Sequence, residues 1–142
     1  MQGRFISEGP EQTEALAARL AATLAPGDAV LLEGDLGAGK TTFVRGAARA
    51  LGVCAPVTSP TFTIGQRYRG KAGTLVTHLD LYRLGSLADE EPELLDDYLG
   101  KPTIAFVEWP GEASAELGTR ARIAARVRLE HGGGDRREVT VA

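Results

Sequence analysis

The feature that most constrains the fold of this chain is the octapeptide at residues 34–41, which reads GDLGAGKT. It matches G-x-x-x-x-G-K-S/T, the pattern of a phosphate-binding loop (P-loop). Its glycines allow backbone conformations that other residues rarely adopt, and its N–H groups can surround phosphate oxygens. Lys40 supplies a positive charge for the outer phosphates, and the Thr41 hydroxyl can ligate Mg²⁺. The loop therefore predicts a nucleotide site with these contacts: Gly34, Asp35, Leu36, Gly37, Ala38, Gly39, Lys40, Thr41 and Thr42.

The residues on either side of the loop occur in the order strand, loop, helix that the motif requires. Residues 29–32 are an apolar run, which predicts a buried strand at 29–33. Residues 42–51 predict a helix, and Gly52 stands where that helix would end. This context favours a nucleotide site over a glycine-rich turn that merely precedes a helix.

The rest of the chain alternates between helical and strand patterns. In the first half we expect a strand at 3–7, a helix at 11–24 that starts behind Pro10, and a hairpin of strands 61–68 and 74–81. A helix over about 88–99 follows, with Ser86 and Asp89 as its capping box. The remaining elements are a strand at 103–108, a short helix at 112–117, and a final hairpin of strands 123–130 and 137–141. These elements predict a single domain over residues 1–142. Its fold class would be α/β, a P-loop NTPase-like three-layer sandwich with a mixed parallel and antiparallel sheet.

Composition excludes several classes of protein. No apolar stretch reaches the roughly 18 residues that span a bilayer, and residues 1–8 lack a signal-peptide core, so a cytoplasmic location is expected. The net charge of −3 argues against binding nucleic acid through bulk charge. The single cysteine, Cys54, excludes an internal disulfide, and its apolar neighbours predict a buried or half-buried structural thiol.

Two carboxylates at predicted strand ends are candidates for the metal and the catalytic step. Glu108 ends the apolar run 104–107, and Asp80 ends the less uniformly apolar run 75–79. A P-loop NTPase needs a carboxylate to hold the Mg²⁺ shell. Glu108 fits that role better, directly or through water, and Asp80 could then orient or deprotonate the attacking water. The pattern does not decide which carboxylate touches the metal directly.

Three further features, namely residues 58–62, Trp109 and the C-terminal arginines, each allow two interpretations. Residues 58–62, TSPTF, are either a γ-phosphate-sensing loop or an ordinary turn. Trp109 is either a packing anchor or a ring beside the nucleotide, while His78 is expected to be a packed strand residue. The C-terminal arginines are either a solvated face, which we favour, or a patch for tRNA or a partner; they are Arg120, Arg122, Arg126, Arg128, Arg136 and Arg137. The absence of Asn-Lys-x-Asp favours ATP over GTP, and no His/Cys cluster suggests zinc.

Four motifs follow one another along the chain: GDLGAGKTT at 34–42, TSPTF at 58–62, HLDLYRL at 78–84 and VEWP at 107–110. Together they resemble the bacterial TsaE (YjeE) ATPase family. The resemblance covers about residues 29–110. It implies a weak, partner-stimulated Mg²⁺-dependent ATPase. The implied partners are the TsaB–TsaD pair, which installs the threonylcarbamoyl group on adenosine 37 of tRNAs reading codons that begin with A. tRNA would be met only through that complex, and no DNA or membrane is involved.

The resemblance also implies roles for individual residues. Residues 35–41 would hold the phosphates of ATP, with Lys40 among the catalytic residues. Thr41 and Glu108 would hold Mg²⁺, and Asp80 would be needed for hydrolysis. Thr61 would lie in a switch-like loop, Thr13 would contact adenine or ribose, and Trp109 would lie beside the nucleotide pocket.

Two other functions remain open from the residues alone. A small-molecule kinase would need a lid with catalytic arginines and a substrate-binding insertion, for which 142 residues leave little room. A nucleotide-sensing module that does not hydrolyse ATP would not need both Asp80 and Glu108.

Overall fold

The protein forms one seven-stranded sheet with helices on both faces. The computed structural model describes residues 1–35, 37–58, 65–81, 96–109 and 114–142. In chain order the elements are β1 Gly3–Ser7, α1 Pro10–Ala21, β2 Asp28–Glu33, α2 Lys40–Ala50, β3 Gly65–Arg69, β4 Leu75–Asp80, β5 Thr103–Glu108, α3 Ser114–Arg120, β6 Arg122–His131 and β7 Arg137–Val141.

Strand order places β2, the strand that leads into the P-loop, at the centre of the sheet. The order is β1-β7-β6-β2-β5-β4-β3. The four inner strands β6, β2, β5 and β4 run parallel, and the outer pairs β1–β7, β6–β7 and β3–β4 are antiparallel. The carboxyl ends of parallel strands meet at one edge of a sheet, where ligands of open α/β folds bind. This confirms the expected mixed sheet and brings the ends of β2, β5 and β4 together.

Alternating side chains of the inner strands supply two separate cores. One face carries Val30, Leu32 and Phe106 and is covered by α1 and α2, whose buried residues include Leu20 and Phe43. The opposite face carries Leu31 and Val107 with Leu117 from α3. Because neighbouring strand residues point to opposite faces, an apolar run such as 104–107 fills both cores at once.

Helices α1 and α2 pack closely because a glycine lies at their crossing. A Cβ on Gly46 would be 2.5 Å from both Cα and the carbonyl oxygen of Glu14, which no real side chain allows. The start of α1 follows the prediction, since Gly9 is the N-cap and Pro10 occupies the first turn. The helix ends at Ala21, three residues before the predicted end at Leu24.

The turn between β3 and β4 caps the carboxyl end of α2. The amide of Lys71 donates to the carbonyl of Leu51 at 2.9 Å, one residue beyond the end of the helix. Gly52 follows with φ +94°, the left-handed conformation expected at a helix stop, and a Cβ there would be 2.7 Å from the Lys71 amide nitrogen. The predicted end of the P-loop helix is thus correct to one residue, while its start lies two residues earlier, at Lys40.

Most of the other predicted elements match in kind and position. The strands at 3–7, 103–108 and 137–141 have the predicted bounds, and β3–β4 and β6–β7 form antiparallel hairpins. The predicted helix at 88–99 lies largely outside the described residues, although residues 96–98 are helical. The predicted helix at 112–117 appears as α3, which continues to Arg120. In the described part of the chain, no helix has the length and apolarity needed to cross a membrane.

The expectation of a buried Cys54 is wrong. Its side chain is exposed, and its Sγ lies 3.7 Å from the carbonyl oxygen of Gly52. The chain leaves α2 here in an irregular segment, in which Val53 and Val57 are buried instead. Apolar neighbours in sequence do not fix side-chain direction where no regular repeat operates.

Candidate functional site

The P-loop follows β2, and its glycines have the conformations that the motif requires. Gly37 and Gly39 have φ of +77° and +102°, in the left-handed region that favours glycine. Gly39 is the N-cap of α2, so the helix begins at Lys40 with its unpaired amides directed at the loop. A Cβ on Gly34 would lie 2.5 Å from the carbonyl oxygen of Leu129, so β6 packs against the loop where it leaves the sheet. Leu36 lies outside the described residues.

Lys40 is buried and folded against the carbonyls of its own loop. Its Nζ donates to the carbonyl of Gly34 and, at 3.0 Å, to that of Asp35. The same ammonium lies 4.3 Å from the centroid of the Trp109 ring. Burial lowers the pKa of Lys40 below its usual value, and the carboxylates of Glu108, Asp80 and Asp35 oppose that shift. An ammonium has three donors, so a cation held on two carbonyls still has one for a ligand.

Asp80 and Glu108 come together on the face of the sheet that α2 covers. They are register partners on the parallel strands β4 and β5. Two residues earlier on β5 lies Phe106, which belongs to the core under α1 and α2, and residues two apart share a face. Both carboxylates therefore emerge on the side where Lys40 and Thr41 begin α2.

These groups surround one cavity of about 220 Å³. Its lining brings together eight of the residues predicted from the sequence: Gly37, Gly39, Lys40, Thr41, Thr42, Asp80, Glu108 and Trp109. A hydroxyl, two carboxylates, an ammonium and loop amides thus face a single space. Of the other predicted contacts, Ala38 is fully buried and its amide donates to the carbonyl of Asp35 at 3.0 Å, which makes it a packing residue of the loop. Thr61 lies outside the described residues.

The oxygen donors that line this cavity suit Mg²⁺, which keeps several waters, better than they suit a metal that is bound by protein side chains alone. Among the residues that the structure describes, no group of three or more His, Cys, Asp and Glu could hold a metal ion. Magnesium keeps several waters and is usually bound through one or two carboxylates plus the phosphates of a substrate. The Thr41 hydroxyl and the Glu108 carboxylate, both on the same cavity, are oxygen donors of that kind.

Glu108 has a buried partner that the sequence did not reveal. His78 is fully buried on β4, as expected for a packed strand residue, and its Nε2 lies 2.8 Å from Glu108 Oε2. Glu108 itself is only 3% exposed. The signal that could have found this contact is the spacing His78-x-Asp80, which puts the imidazole on the same face as Asp80.

Trp109 leaves the sheet with an unusual backbone. Its φ is +57°, in the left-handed region that a bulky residue rarely adopts. Its amide donates to the carbonyl of Leu32 at 3.0 Å, which continues the β2–β5 ladder by one bond and holds the turn. The turn places the indole over Lys40, so Trp109 lies beside the candidate phosphate site. This position agrees with the second of its two interpretations, a ring beside the nucleotide.

A second, smaller cavity lies across the P-loop from the carboxylates. It has a volume of about 90 Å³ and is lined by Pro10, Thr13, Gly37, Gly39, Thr42, Asp135 and Arg137. Thr13 is almost fully buried and its Oγ1 lies 2.7 Å from Ser7 Oγ. Since Ser7 Oγ also lies 2.7 Å from the carbonyl of Gly9, which can only accept, the Ser7 hydroxyl donates there. Thr13 must then donate to Ser7, which leaves its own oxygen free to accept.

Arg137 lines this cavity, a position that neither interpretation of the C-terminal arginines, a solvated face or a patch for tRNA or a partner, predicted. Its guanidinium donates to the carbonyl of Gly37 at 3.1 Å and to that of Gly134 at 2.7 Å. The C-terminal hairpin therefore holds the P-loop from outside. Arginine count alone could not single out Arg137, because the contact depends on how β7 packs beside the loop.

Four other C-terminal arginines form ion pairs with carboxylates. The pairs are Arg120–Asp96 at 3.1 Å, Arg122–Asp28 at 2.7 Å, Arg128–Glu33 at 3.3 Å and Arg136–Glu8 at 3.8 Å. Such pairing is typical of a solvated face and leaves little excess charge for a polyanion.

A larger cavity than the one with the carboxylates lies nearby. It has about 580 Å³ and lies on the outer side of the P-loop, lined by Glu33, Gly34, Asp35, Trp109, Arg128, Leu129, Glu130 and His131. The site that can bind phosphate is the smaller cavity of 220 Å³, because Lys40, Thr41 and both carboxylates line that one. Trp109 forms a wall of both.

Comparison with known proteins gives consistent matches over nearly the whole chain. The family model described as "Threonylcarbamoyl adenosine biosynthesis protein TsaE" matches residues 7–139. A Bacillus subtilis (strain 168) protein named tRNA threonylcarbamoyladenosine biosynthesis protein TsaE is 42% identical over 140 residues, which are 98% of this chain and 84% of that protein. A Streptomyces coelicolor protein of the same name is 42% identical over 121 residues, 84% of this chain and 80% of its own.

A solved structure has the same fold. The crystal structure of YdiB from Bacillus subtilis superimposes with a TM-score of 0.70 at 34% identity, covering 99% of this chain and 84% of that chain. The matched region includes the P-loop and the ends of β4 and β5, so the likeness extends to every element that builds the cavity.

Proposed function

The chain belongs to the TsaE family of tRNA threonylcarbamoyladenosine biosynthesis proteins, and from that premise we propose that it is a magnesium-dependent ATPase of this modification. Its activity alone is low, and the TsaB–TsaD pair stimulates it. That pair transfers the threonylcarbamoyl group to adenosine 37 of tRNAs reading codons that begin with A. A cytoplasmic location follows from this role.

One observation carries the proposal. Lys40 and Thr41 of the P-loop line the same cavity of about 220 Å³ as Asp80 and Glu108. Binding of a phosphate needs only the loop and the lysine, whereas hydrolysis also needs a metal ligand and a group that handles water. Two carboxylates beside the loop supply both, which supports an ATPase over a protein that only senses nucleotide.

The P-loop residues bind and orient the triphosphate. The P-loop amides and the first turn of α2 bind phosphate oxygens, except the Ala38 amide, which donates to the carbonyl of Asp35. Lys40 directs its remaining donor at the outer phosphates, which draws the ammonium towards them. Thr41 and Glu108 hold Mg²⁺. When bound, the metal neutralises charge that develops on the transferred phosphoryl group.

Asp80 acts on the nucleophile. It orients a water molecule in line with the outer phosphate and accepts its proton as the new P–O bond forms and the bond to ADP breaks. Its register partner Glu108 stays with the metal, so the two adjacent carboxylates have different tasks. The products are ADP and inorganic phosphate.

The nucleoside would lie in the cavity that contains Thr13. The two cavities share Gly37, Gly39 and Thr42, so one ligand can extend across the loop from one to the other. Thr13 keeps an accepting oxygen, which suits the exocyclic amino group of adenine. Contact with tRNA is indirect, through the partner complex.

The experiment is ATP turnover by the protein alone and with the TsaB–TsaD pair from the same source. We expect low intrinsic turnover, strong stimulation by the pair, and loss of both in Asp80→Ala. Tight ATP binding without stimulation would reject the partnership. Phosphorylation of a small-molecule acceptor would instead identify a P-loop kinase.

A further inference from the structure

We propose that His78 is a positioning residue that fixes the Glu108 carboxylate for the metal. This inference rests on the proposed function, since it assumes that Glu108 serves Mg²⁺. It goes further by assigning a task to a buried polar side chain that neither the P-loop nor the two carboxylates account for. His78 would act only through Glu108.

The contact is short, buried and built by the sheet itself. His78 Nε2 and Glu108 Oε2 are 2.8 Å apart, with the imidazole fully buried and the carboxylate only 3% exposed. His78 is the register partner of Phe106, which lies two residues before Glu108 on β5. The hydrogen bond is thus a diagonal cross-strand contact on the face that α2 covers. Rigid β pairing on both sides keeps the two side chains together.

The hydrogen-bond inventory assigns the tautomer. A carboxylate only accepts, so Nε2 of His78 must carry the proton that it shares with Glu108. Nδ1 is buried and has no hydrogen-bond partner among the described residues. A buried N–H without an acceptor is costly, whereas an unprotonated ring nitrogen loses less. The only N–H of the imidazole ring therefore donates to Glu108 Oε2.

Fixing Glu108 matters because its surroundings would otherwise turn it away from the metal position. Asp80 is its register partner, and like charges directly opposite repel. Holding Oε2 leaves the second carboxylate oxygen for a metal in a defined direction. Hydrogen-bond partners of metal-ligating carboxylates commonly contribute about 10–100-fold in metal affinity. We expect an effect of that size here.

Three substitutions separate the donor from the bulk of the side chain. In His78→Gln the amide nitrogen can reach the position of Nε2, so the bond to Glu108 is kept. In His78→Asn the amide is as polar but reaches only the position of Nδ1. His78→Leu fills a similar volume without any donor. The comparison of Gln with Asn is matched for polarity and holds even if Leu lowers stability.

The primary readout is Mn²⁺ affinity measured by electron paramagnetic resonance on the ADP-bound protein. A second readout is ADP affinity in EDTA, and a third is Tm. We expect about 10-fold or greater weakening of Mn²⁺ in the Leu and Asn variants, recovery to within about threefold in Gln, and ADP affinity in EDTA within about twofold of wild type. In the wild-type protein, ¹⁵N NMR of His78 should show the proton on Nε2.

Equal Mn²⁺ affinity in the wild type and the Asn variant would overturn the inference and leave His78 as a packing residue that changes only Tm. A proton on Nδ1 in the NMR spectrum would overturn it as well. Failure of the wild-type protein to bind ADP or Mn²⁺ would instead reject the proposed function and the inference with it, so the two failures are distinct.

Discussion

Asp80 and Glu108 are register partners at the last paired position of two parallel strands, so two carboxylates stand side by side at one end of the sheet. Like charges that face each other across strands destabilise a sheet. The ammonium of Lys40 interacts with both of them, which offsets part of the repulsion. The arrangement is costly for folding alone and is understandable for a site that receives a cation.

Replacing Asp80 by Asn should separate stability from catalysis. We expect Tm to stay level or rise, because the substitution removes one of two facing charges. ATP should still bind, while turnover falls by about 100-fold or more, since a positioned general base typically contributes that much. Turnover assays and thermal melts check this, with Asp97→Asn, an exposed position, as the control. Wild-type turnover in Asp80→Asn would remove Asp80 from the mechanism.

Replacing Lys40 by Ala should abolish useful ATP binding. A hydrogen bond to a charged group contributes about 1.5–3 kcal/mol, so the dissociation constant for ATP should rise at least about 10-fold. Isothermal titration calorimetry measures it, and circular dichroism verifies the fold. Lys101→Ala, which removes an exposed lysine, should bind as the wild type does. Unchanged affinity in Lys40→Ala would refute the phosphate role of this side chain.

Trp109 should report nucleotide binding, because it is the only tryptophan and its ring covers Lys40. A ligand that draws the ammonium away changes the charge beside the indole, so emission should shift on addition of Mg·ATP. Titration of intrinsic fluorescence tests this, and Lys40→Ala should give a flat trace. A flat trace from wild-type protein that binds ATP by calorimetry would make Trp109 a packing anchor only.

Substituting Gly46 by Ala should destabilise the fold. The new Cβ would meet backbone atoms of Glu14 at 2.5 Å, so α1 and α2 must move apart. Overpacking of this kind costs about 1–3 kcal/mol of unfolding free energy, which urea denaturation can measure. Gly118→Ala in helix α3 is the matched control, because a Cβ there would meet nothing nearer than the Ile123 side chain of β6, at 3.9 Å. That variant should be as stable as the wild type or more so.

The Asp28–Arg122 pair should make stability depend on acid pH. The side-chain hydrogen bond from Arg122 lowers the pKa of the buried Asp28 carboxyl, against the opposing effect of burial. A carboxyl whose pKa is lower in the folded state adds stability above its unfolded-state pKa of about 3.9 and loses it as pH falls through the folded value.

Thermal melts of wild type and Asp28→Asn from pH 7 to 3 test this linkage. The difference in Tm should be largest at neutral pH and should shrink below about pH 4. Asp97→Asn should show no such trend, because that side chain is exposed. A pH-independent difference would mean that Asp28 acts through packing rather than ionisation.

The sequence predicted those parts of the molecule that obey a repeat or a motif. Residues 29–32 and 104–107 are apolar without interruption, and a strand buried on both faces needs that pattern. The octapeptide at 34–41 predicted the loop and the presence of a helix behind it, because each of its positions has a separate physical requirement, although α2 starts at Lys40 and not at residue 42. Glu108 and Asp80 were predicted because each ends a strand-like run and a P-loop NTPase needs a carboxylate for Mg²⁺ at such a position.

Contacts that arise between distant elements could not be predicted in this way. The strand predicted at 123–130 contains a register shift against β2, so Ile123 packs on the α3 side while Ala125 lies under α1 and α2. The pairing of His78 with Glu108 depends on the relative register of β4 and β5, and the contact of Arg137 with Gly37 on a hairpin that folds back over the loop. The spacing of His78 and Asp80 places both on one face of β4, but the contact with Glu108 also requires the register between the strands, which no local pattern gives.

The cap that the β3–β4 turn places on α2 has a mechanical consequence. The helix is a rigid rod of 11 residues, about 16 Å long, with Thr41 at one end and the Lys71 amide just beyond the other. Strand β4 runs from that turn back to Asp80, which lines the same cavity as Thr41. Helix α2 and strand β4 therefore both connect the cavity with the β3–β4 turn. An axial shift of α2 at its Lys40 end would therefore also displace this surface turn, which lies at the opposite end of the helix from the cavity.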